Sequence, residues 1–339
     1  MNILFTCAGR RNYLINYFKT ALNGKGKVFT ADMQASAPAM VDSDKAFIVP
    51  PIYEDNYINS LKEICLVNNI VAIISLNDLE LPILTKEIKM FKGIGTKIII
   101  SSPRVIDICF DKWKTCSFLS SIKLNFPRTY ISYNKAIEAV KKSELTFPLI
   151  IKPRWGSASI GIEEVDNIDG LFYSYELLLL KIKKSMLSKA SSEDYEHSIL
   201  IQEKLIGIEY GIDIINNLNG DYQTTIVKKK LAMRAGETDK AITQFNDELS
   251  SIGSKIGTNL KHIGNLDCDV FYNGKTYTIL ELNPRFGGGY PFSHLAGVNL
   301  PAAMIKWLDG KVNVREFLQY EEGMAFSKYD KLMKVPYNL

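Results

Sequence analysis

Short apolar runs alternate with stretches of helical spacing along the first hundred residues. Residues 2–7 form an apolar run suited to a buried strand, and 13–22 set Leu14, Tyr17, Phe18 and Leu22 on one helical face. Residues 28–31 read as a second strand closing on Asp32, 58–67 as a helix, and 71–75 and 97–101 as further strands. Strands separated by helices need crossover connections, so a parallel sheet covered by helices is expected. Ligands collect beyond the C-terminal ends of such strands. Gly9, Asp32, Asn77, Asp78 and Glu80 stand at those ends. Gly9 and Asp32 would suit a dinucleotide site, but Arg10, Arg11 and Asn12 replace its further glycines, so a nicotinamide cofactor is not expected. Arg10 and Arg11 at a helix start suit either an anionic substrate or plain solvent exposure.

A second unit follows Ser102-Pro103. Residues 107–119 read as one helix carrying Asp111 and Lys112, and 147–153 as a strand that ends in Lys152. A loop of small residues comes next, with Gly156, Ser157, Ser159 and Gly161, before a strand at 162–165. Backbone amides in such a loop can close over phosphates, and a lysine entering it supplies a point charge. The loop is not a P-loop, because no Gly-Lys-Ser/Thr ending leads into a helix. Residues 171–187 read as a long helix, and 199–204 and 209–215 as strands.

The segment Leu280-Glu281-Leu282-Asn283-Pro284-Arg285-Phe286-Gly287-Gly288-Gly289 is the most informative in the chain. Side chains two apart on a strand share a face, so Glu281 and Asn283 point the same way. Hard oxygen ligands so placed suit Mg²⁺, which binds through few protein groups plus substrate phosphates. Arg285 just beyond can grip a phosphate or carboxylate bidentately. Residues 270–277 read as a hairpin. A two-residue Asn-Gly turn would point Asp267 away from Glu281. A three-residue loop, Tyr272-Asn273-Gly274 with Gly274 left-handed, or a bulge of equal effect, sets Asp267 diagonal to Glu281 at roughly 7–8 Å. The odd-numbered loop is the expectation.

Composition narrows the class. The chain has 339 residues, 46% apolar and 23% charged, which suits a globular protein of two or three lobes. No run approaches about 18 apolar residues, and the first apolar run lacks a basic segment before it, so neither a membrane span nor a signal peptide is expected. Five scattered cysteines without a C-x-x-C pair suit reduced thiols and a cytoplasmic location. Three histidines argue against a histidine-based zinc site. The net charge of +4 is slight, and the lysine runs lack interleaved aromatics, so nucleic acid is not an expected partner.

In one order, Asp111-Lys112, Lys152 with its small-residue loop, Gln202 to Glu209, Asp267, and Glu281-x-Asn283-x-Arg285 resemble the ATP-grasp superfamily. The likeness is strongest to a synthetase half of the carbamoyl-phosphate synthase large subunit and its stand-alone relatives, and it covers nearly the whole chain. It implies an α/β fold in which a parallel-sheet pre-ATP-grasp domain (1–105) precedes a two-lobed α+β ATP-grasp domain. The latter would span 106–310, with a small lobe at about 130–206, ahead of a C-terminal extension at 311–339. The resemblance implies that Lys112 and Lys152 hold ATP phosphates under the loop with Gly156, Ser157, Ser159 and Gly161. Glu203, Lys204 and Ile206 would lie along the adenine, and Glu209 would take the ribose. Asp267, Glu281 and Asn283 would bind one or two Mg²⁺ ions, with Mn²⁺ as an alternative. Asp267 stands where glutamine is frequent in the family, which leaves the metal count open. Arg285 would stabilise an acyl phosphate, and Arg234 would be a phosphate or substrate contact, with a solvent-exposed loop arginine as the equal alternative. The implied activity is an ATP-dependent carboxylate–amine or carboxylate–ammonia ligase acting on small molecules, with a homodimer open. Carbamoyl-phosphate formation and a catalytically inactive nucleotide-binding regulator are the alternatives. Asn77, Asp78, Glu80 and Gly287 to Tyr290 are candidates for the acceptor pocket.

Overall fold

The computed structural model describes residues 1–156 and 161–336. Five parallel strands open the chain: β1 (Asn2–Thr6), β2 (Lys27–Asp32), β3 (Lys45–Ile48), β4 (Ile70–Ser75) and β5 (Lys97–Ile98). They lie in the order β3-β2-β1-β4-β5. Alternate residues of β1 feed opposite faces. Ile3 and Phe5 join Leu14, Ile15 and Phe18 of the helix Asn12–Leu22, while Leu4 joins Tyr57, Leu61 and Cys65 of the helix Tyr57–Val67. Strand order reverses at β1, so the ends of β1 and β4 flank the crevice where such sheets take ligands.

The next strands form a small antiparallel sheet ordered β6-β9-β7-β8. They are β6 (Thr129–Tyr130), β7 (Leu149–Pro153), β8 (Glu163–Val165) and β9 (Ile199–Glu203). Leu149 and Ile151 pack with Ala136, Leu171, Leu178 and Ile182 from the helices Tyr133–Lys141 and Ile168–Lys183.

A six-stranded antiparallel sheet completes the molecule. Its strands are β10 (Ile208–Asn216), β11 (Tyr222–Arg234), β12 (Glu237–Gln244), β13 (Gly264–Tyr272), β14 (Tyr277–Asn283) and β15 (Ala325–Ser327). They lie in the order β14-β13-β10-β11-β12-β15. The helix Asp247–Leu260 buries Leu249, Ile256 and Leu260 against Ile212, Ile214 and Leu266. It lies so close that an ideal Cβ on Gly253 would stand 2.2 Å from Thr225 Oγ1. The helix Leu300–Leu308 carries Leu300, Ala303 and Met304 into the core that holds Ile3 and Phe5, which joins the first domain to the last.

Two elements depart from the sequence pattern in ways that matter. The helix expected at 107–119 is two helices, Pro103–Phe110 and Lys112–Ser121, broken at Asp111 with ψ 102°. The Asp111 carboxylate accepts the N–H groups of Trp113 and Lys114, a capping geometry that outweighs helix continuity. Lys112 thereby opens a helix instead of lying inside one. The strand expected at 97–101 shortens to β5.

Candidate active site

Strands β13 and β14 meet across a four-residue connection, with Tyr272 opposite Tyr277. The expected three-residue loop is therefore absent, although Gly274 is left-handed with φ 94°. Asn273 explains the wider loop: its Oδ1 accepts from the N–H groups of Lys275 (3.0 Å) and Thr276 (2.9 Å). An even loop alone would point Asp267 the wrong way. A bulge at Leu280 restores the parity, pairing Asp269 with Glu281 and Asp267 with Asn283. Asp267 is then diagonal to Glu281, and all four polar side chains share one face. Asp269 is a carboxylate that the sequence pattern did not single out.

That face forms one wall of a cleft of about 370 Å³. Lys112, Lys152, Gly156, Glu209, Lys230, Asp267, Asp269, Glu281, Asn283 and Arg285 line it, together with Arg11, Asn77 and Asp78 from the first domain. Lys152, at the end of β7, is 4% exposed, and its Nζ has no hydrogen-bond or ion-pair partner among the described residues. Burial pushes its amine down to about 8, against the opposing pull of Glu281. Lys112 donates from Nζ to the Gly156 carbonyl at 2.6 Å, and burial lowers its amine too, with Glu281 and Asp78 opposing. Burial alone would raise the Glu281 carboxyl, but Lys112 and Lys152, with Asn283 and Arg285, hold it below the ordinary range.

Arg154 fixes the two lysines to each other. Its Nε and Nη2 donate to the two Asp111 oxygens at 2.8 and 2.7 Å, its Nη1 reaches Asp194 at 2.8 Å, and its carbonyl accepts the Lys112 N–H. The end of β7 is thus strapped to the start of the Lys112 helix. Lys230 plays a similar part opposite, bridging Glu209 (2.6 Å) and Asp269 (2.7 Å).

Arg285 donates from Nε (2.9 Å) and Nη2 (2.6 Å) to one oxygen of Asp78 and stands 3.7 Å from Asp267. Burial would lower its guanidinium, but Asp78 and Asp267 more than offset that and keep it charged. Burial also pushes the Asp267 carboxyl up, with Arg285 opposing. The Asp267 carboxylate occupies the space where a Gly287 side chain would go: an ideal Cβ there would lie 2.1 Å from the carboxyl carbon.

Other residues lie elsewhere. Glu203 accepts the Arg128 N–H at 2.8 Å, Lys204 pairs with Glu164 at 2.7 Å, and Ile206 is 73% exposed; none of the three lines the cleft. Arg234 is half-exposed and ion-paired with Asp239 (3.1 Å) and Asp330 (2.7 Å), also outside the lining, because the carboxylates of its own hairpin and of the C-terminal stretch hold it there. Gly161 packs on Leu178, with Ile162 taking the cleft position. Ser157 and Ser159 lie outside the described residues. Glu80 is fully buried and does not line the cleft: it accepts hydroxyls from Thr6, Ser75 and Tyr57, which braces β1 against β4. Asp32 accepts the N–H groups of Gly9 and Gln34, both at 3.0 Å, and so holds its own loop closed.

Mg²⁺ suits this donor set. Among the described residues no three His, Cys, Asp or Glu side chains close into a metal cage. Asp269 is engaged by Lys230, which leaves Asp267, Glu281 and Asn283 as hard oxygen donors on one face. Few protein oxygens, with phosphate and water completing the shell, is how Mg²⁺ binds. The space that Gly287 leaves for Asp267 serves the same arrangement.

A parallel-sheet domain and two antiparallel lobes stand around one cleft lined by both cationic and acidic side chains. Comparison with known proteins gives the family. Residues 3–99 match the PylC-like N-terminal domain, and 195–332 match the ATP-grasp domain of a biosynthetic pathway with the Ter operon. The chain belongs to the ATP-grasp superfamily. It is 28% identical over 267 residues to formate-dependent phosphoribosylglycinamide formyltransferase of Prochlorococcus marinus, covering 76% of this chain and 64% of that protein. It is 26% identical over 281 residues to the carbamoyl phosphate synthase large chain of Methanosphaerula palustris, covering 79% of this chain and 25% of the relative. The chain thus spans less than two thirds of the length of either. Its fold is that of the biotin carboxylase domain of 2-oxoglutarate carboxylase from Hydrogenobacter thermophilus, solved with MgADP and bicarbonate. There the TM-score is 0.73 at 14% identity, over 94% of this chain and 72% of that one. No helix among the described residues is long and apolar enough to cross a membrane.

Proposed function

We propose that this protein is an ATP-dependent ligase that joins a small carboxylate to an amine or ammonia through an acyl phosphate, releasing ADP and phosphate. The observation that carries the reading is Lys152: a buried amine without a partner among the described residues, in the same cleft as Glu281. Burying an unpaired cation is costly unless a ligand brings the matching anion, and a triphosphate supplies it.

A carboxylate resists nucleophiles because of its charge and because oxide leaves poorly. Phosphorylation by ATP removes both obstacles. Transfer of the γ-phosphoryl group demands positioning and charge neutralisation more than covalent help from the protein. Lys112 and Lys152 hold the phosphates from one side. Arg285, oriented by Asp78, faces them from the other and stabilises the charge that builds on the acyl phosphate. Glu209, braced by Lys230, takes the ribose hydroxyls. Asp267, Glu281 and Asn283 would hold one or two Mg²⁺ ions, which supply charge neutralisation on the phosphate oxygens. The formate in one relative's name and the bicarbonate bound to the structural neighbour support a small carboxylate as the group activated.

An ADP-release assay over panels of carboxylic acids and amines tests the reading. Glu281→Gln is expected to lower Mg-ATP turnover by about 100-fold or more, with an unchanged circular dichroism spectrum. A fully active variant would overturn it.

A further inference from the structure

A further cation enters the cleft from the first domain. Arg11 opens the helix Asn12–Leu22, is half-buried, and lines the cleft wall. Its Nη1 donates to the Phe286 carbonyl oxygen, which also accepts Nη1 of Arg285. Two guanidiniums converging on one oxygen repel each other unless anions accompany them. Arg285 has its anion in Asp78. Arg11 makes no ion pair among the described residues, and the Phe286 carbonyl uses only one donor of its planar fork. The remaining donors are left for a ligand.

An opposite charge shares that end of the cleft. Glu237, the first residue of β12, lines it with a side chain that is 59% exposed. Lys328, which does not line the cleft, pairs with its carboxylate at 3.2 Å. Burial would raise the Glu237 carboxyl, yet Lys328 and Arg11 hold it below its ordinary range, so Arg11 lies within electrostatic reach. Gly288 and Gly289 line the cleft beside these two residues, and an ideal Cβ on Gly288 would stand 3.1 Å from the Glu237 carboxyl. Bare backbone at Gly288 lets the Glu237 carboxyl come close to the cleft wall that Arg11 shares. Both residues lie at the Arg285 end of the cleft, where the acyl phosphate of the proposed ligase would form.

We infer that the amine co-substrate carries an anionic group of its own, which Arg11 grips while Glu237 receives the ammonium. The inference rests on the ligase reading and adds a substrate class to it: an amine bearing a carboxylate or a phosphate, not ammonia or a neutral amine. A guanidinium fork suits either anion.

The full chain, supplied with Mg-ATP and a mixture of formate, acetate, bicarbonate and the common L-amino acids as carboxylates, is assayed for ADP release with matched amines. These are each common L-amino acid against its amide, O-phosphoethanolamine against ethanolamine, and ammonium. An anionic amine is expected to show a KM at least about tenfold below its neutral counterpart, and the amino-acid and phosphoethanolamine arms tell carboxylate from phosphate. Arg11→Gln should erase that preference by raising the KM for the anionic amine about tenfold, and Arg11→Lys should restore part of it. Mg-ADP affinity by calorimetry should stay within about twofold in both variants, which also reports their folding. Equal use of neutral amines or ammonium, a preference that survives Arg11→Gln, or no anionic amine active despite Mg-ADP binding would overturn the inference alone. Failure of the unaltered chain to bind Mg-ADP would bring down the ligase reading beneath it.

Discussion

Arg285 and Asp78 stand 207 residues apart in the chain, yet two N–H groups of the arginine close on a single carboxylate oxygen of the aspartate. Both side chains are 9% exposed. The pair ties the end of β4 in the parallel sheet to the segment just beyond β14. The orientation of this guanidinium in the cleft is therefore set by the first domain. Asp78→Asn preserves shape and removes the charge. Losing one partner of a buried pair costs about 3–5 kcal/mol, so urea unfolding should show a loss of that order. ADP release at saturating ATP should fall about 100-fold. Unchanged stability and turnover would show that the pair does not orient Arg285.

Lys152 gives a pH dependence with a definite sign. Its ordinary value is 10.5, and in the folded protein it falls to about 8. Between those values the unfolded chain binds more protons than the folded one, so this residue makes stability rise with pH across that window. Below about 8 the buried charge costs about 3 kcal/mol. Lys152→Met is therefore expected to be the more stable protein at pH 7 in the absence of nucleotide, with the advantage fading by about pH 10.5. Urea unfolding of both proteins at pH 7 and 9.5 checks it. In the unaltered protein, Mg-ADP affinity should fall as pH rises through about 8, because the amine loses the charge that the phosphates need.

Gly287 can be no other residue while Asp267 keeps its place. A methyl group there would press on the Asp267 carboxylate, whose three heavy atoms would lie 2.1–2.3 Å from the new Cβ. Relief of such overpacking costs about 1–3 kcal/mol. Gly287→Ala should lower the melting temperature by a few degrees and raise the Mg²⁺ concentration for half-maximal ADP release about tenfold. A normal Mg²⁺ requirement would remove Asp267 from the proposed metal ligands.

The alternation of strands and helices in the first hundred residues was legible because buried parallel strands are continuous apolar runs and their covering helices keep a 3.6-residue stripe. The pairing of Glu281 with Asn283 was legible for an equally local reason, the two-residue repeat of a strand. What the sequence hid depends on backbone events or distant partners. The Leu280 bulge leaves no mark on the hydrophobic pattern, and the Asn273 side chain chose a wider loop than its Asn-Gly dipeptide suggests. Asp111 breaks a helix whose apolar spacing runs straight through it. Arg154 and Lys230 carry no motif of their own; each is defined by carboxylates brought in from other elements. Arg234 shows the reverse, a residue suggested by its neighbours in sequence and held outside the cleft by Asp239 and Asp330.

Calorimetric titration of Mg-ADP into the full chain asks most directly whether Lys112, Lys152 and the acidic face of β13 and β14 surround one nucleotide. Binding at a single site is expected, lost when EDTA removes the metal and weakened about 100-fold or more by Lys152→Met. No heat of binding with Mg²⁺ present, or an unaltered affinity in Lys152→Met, would contradict it.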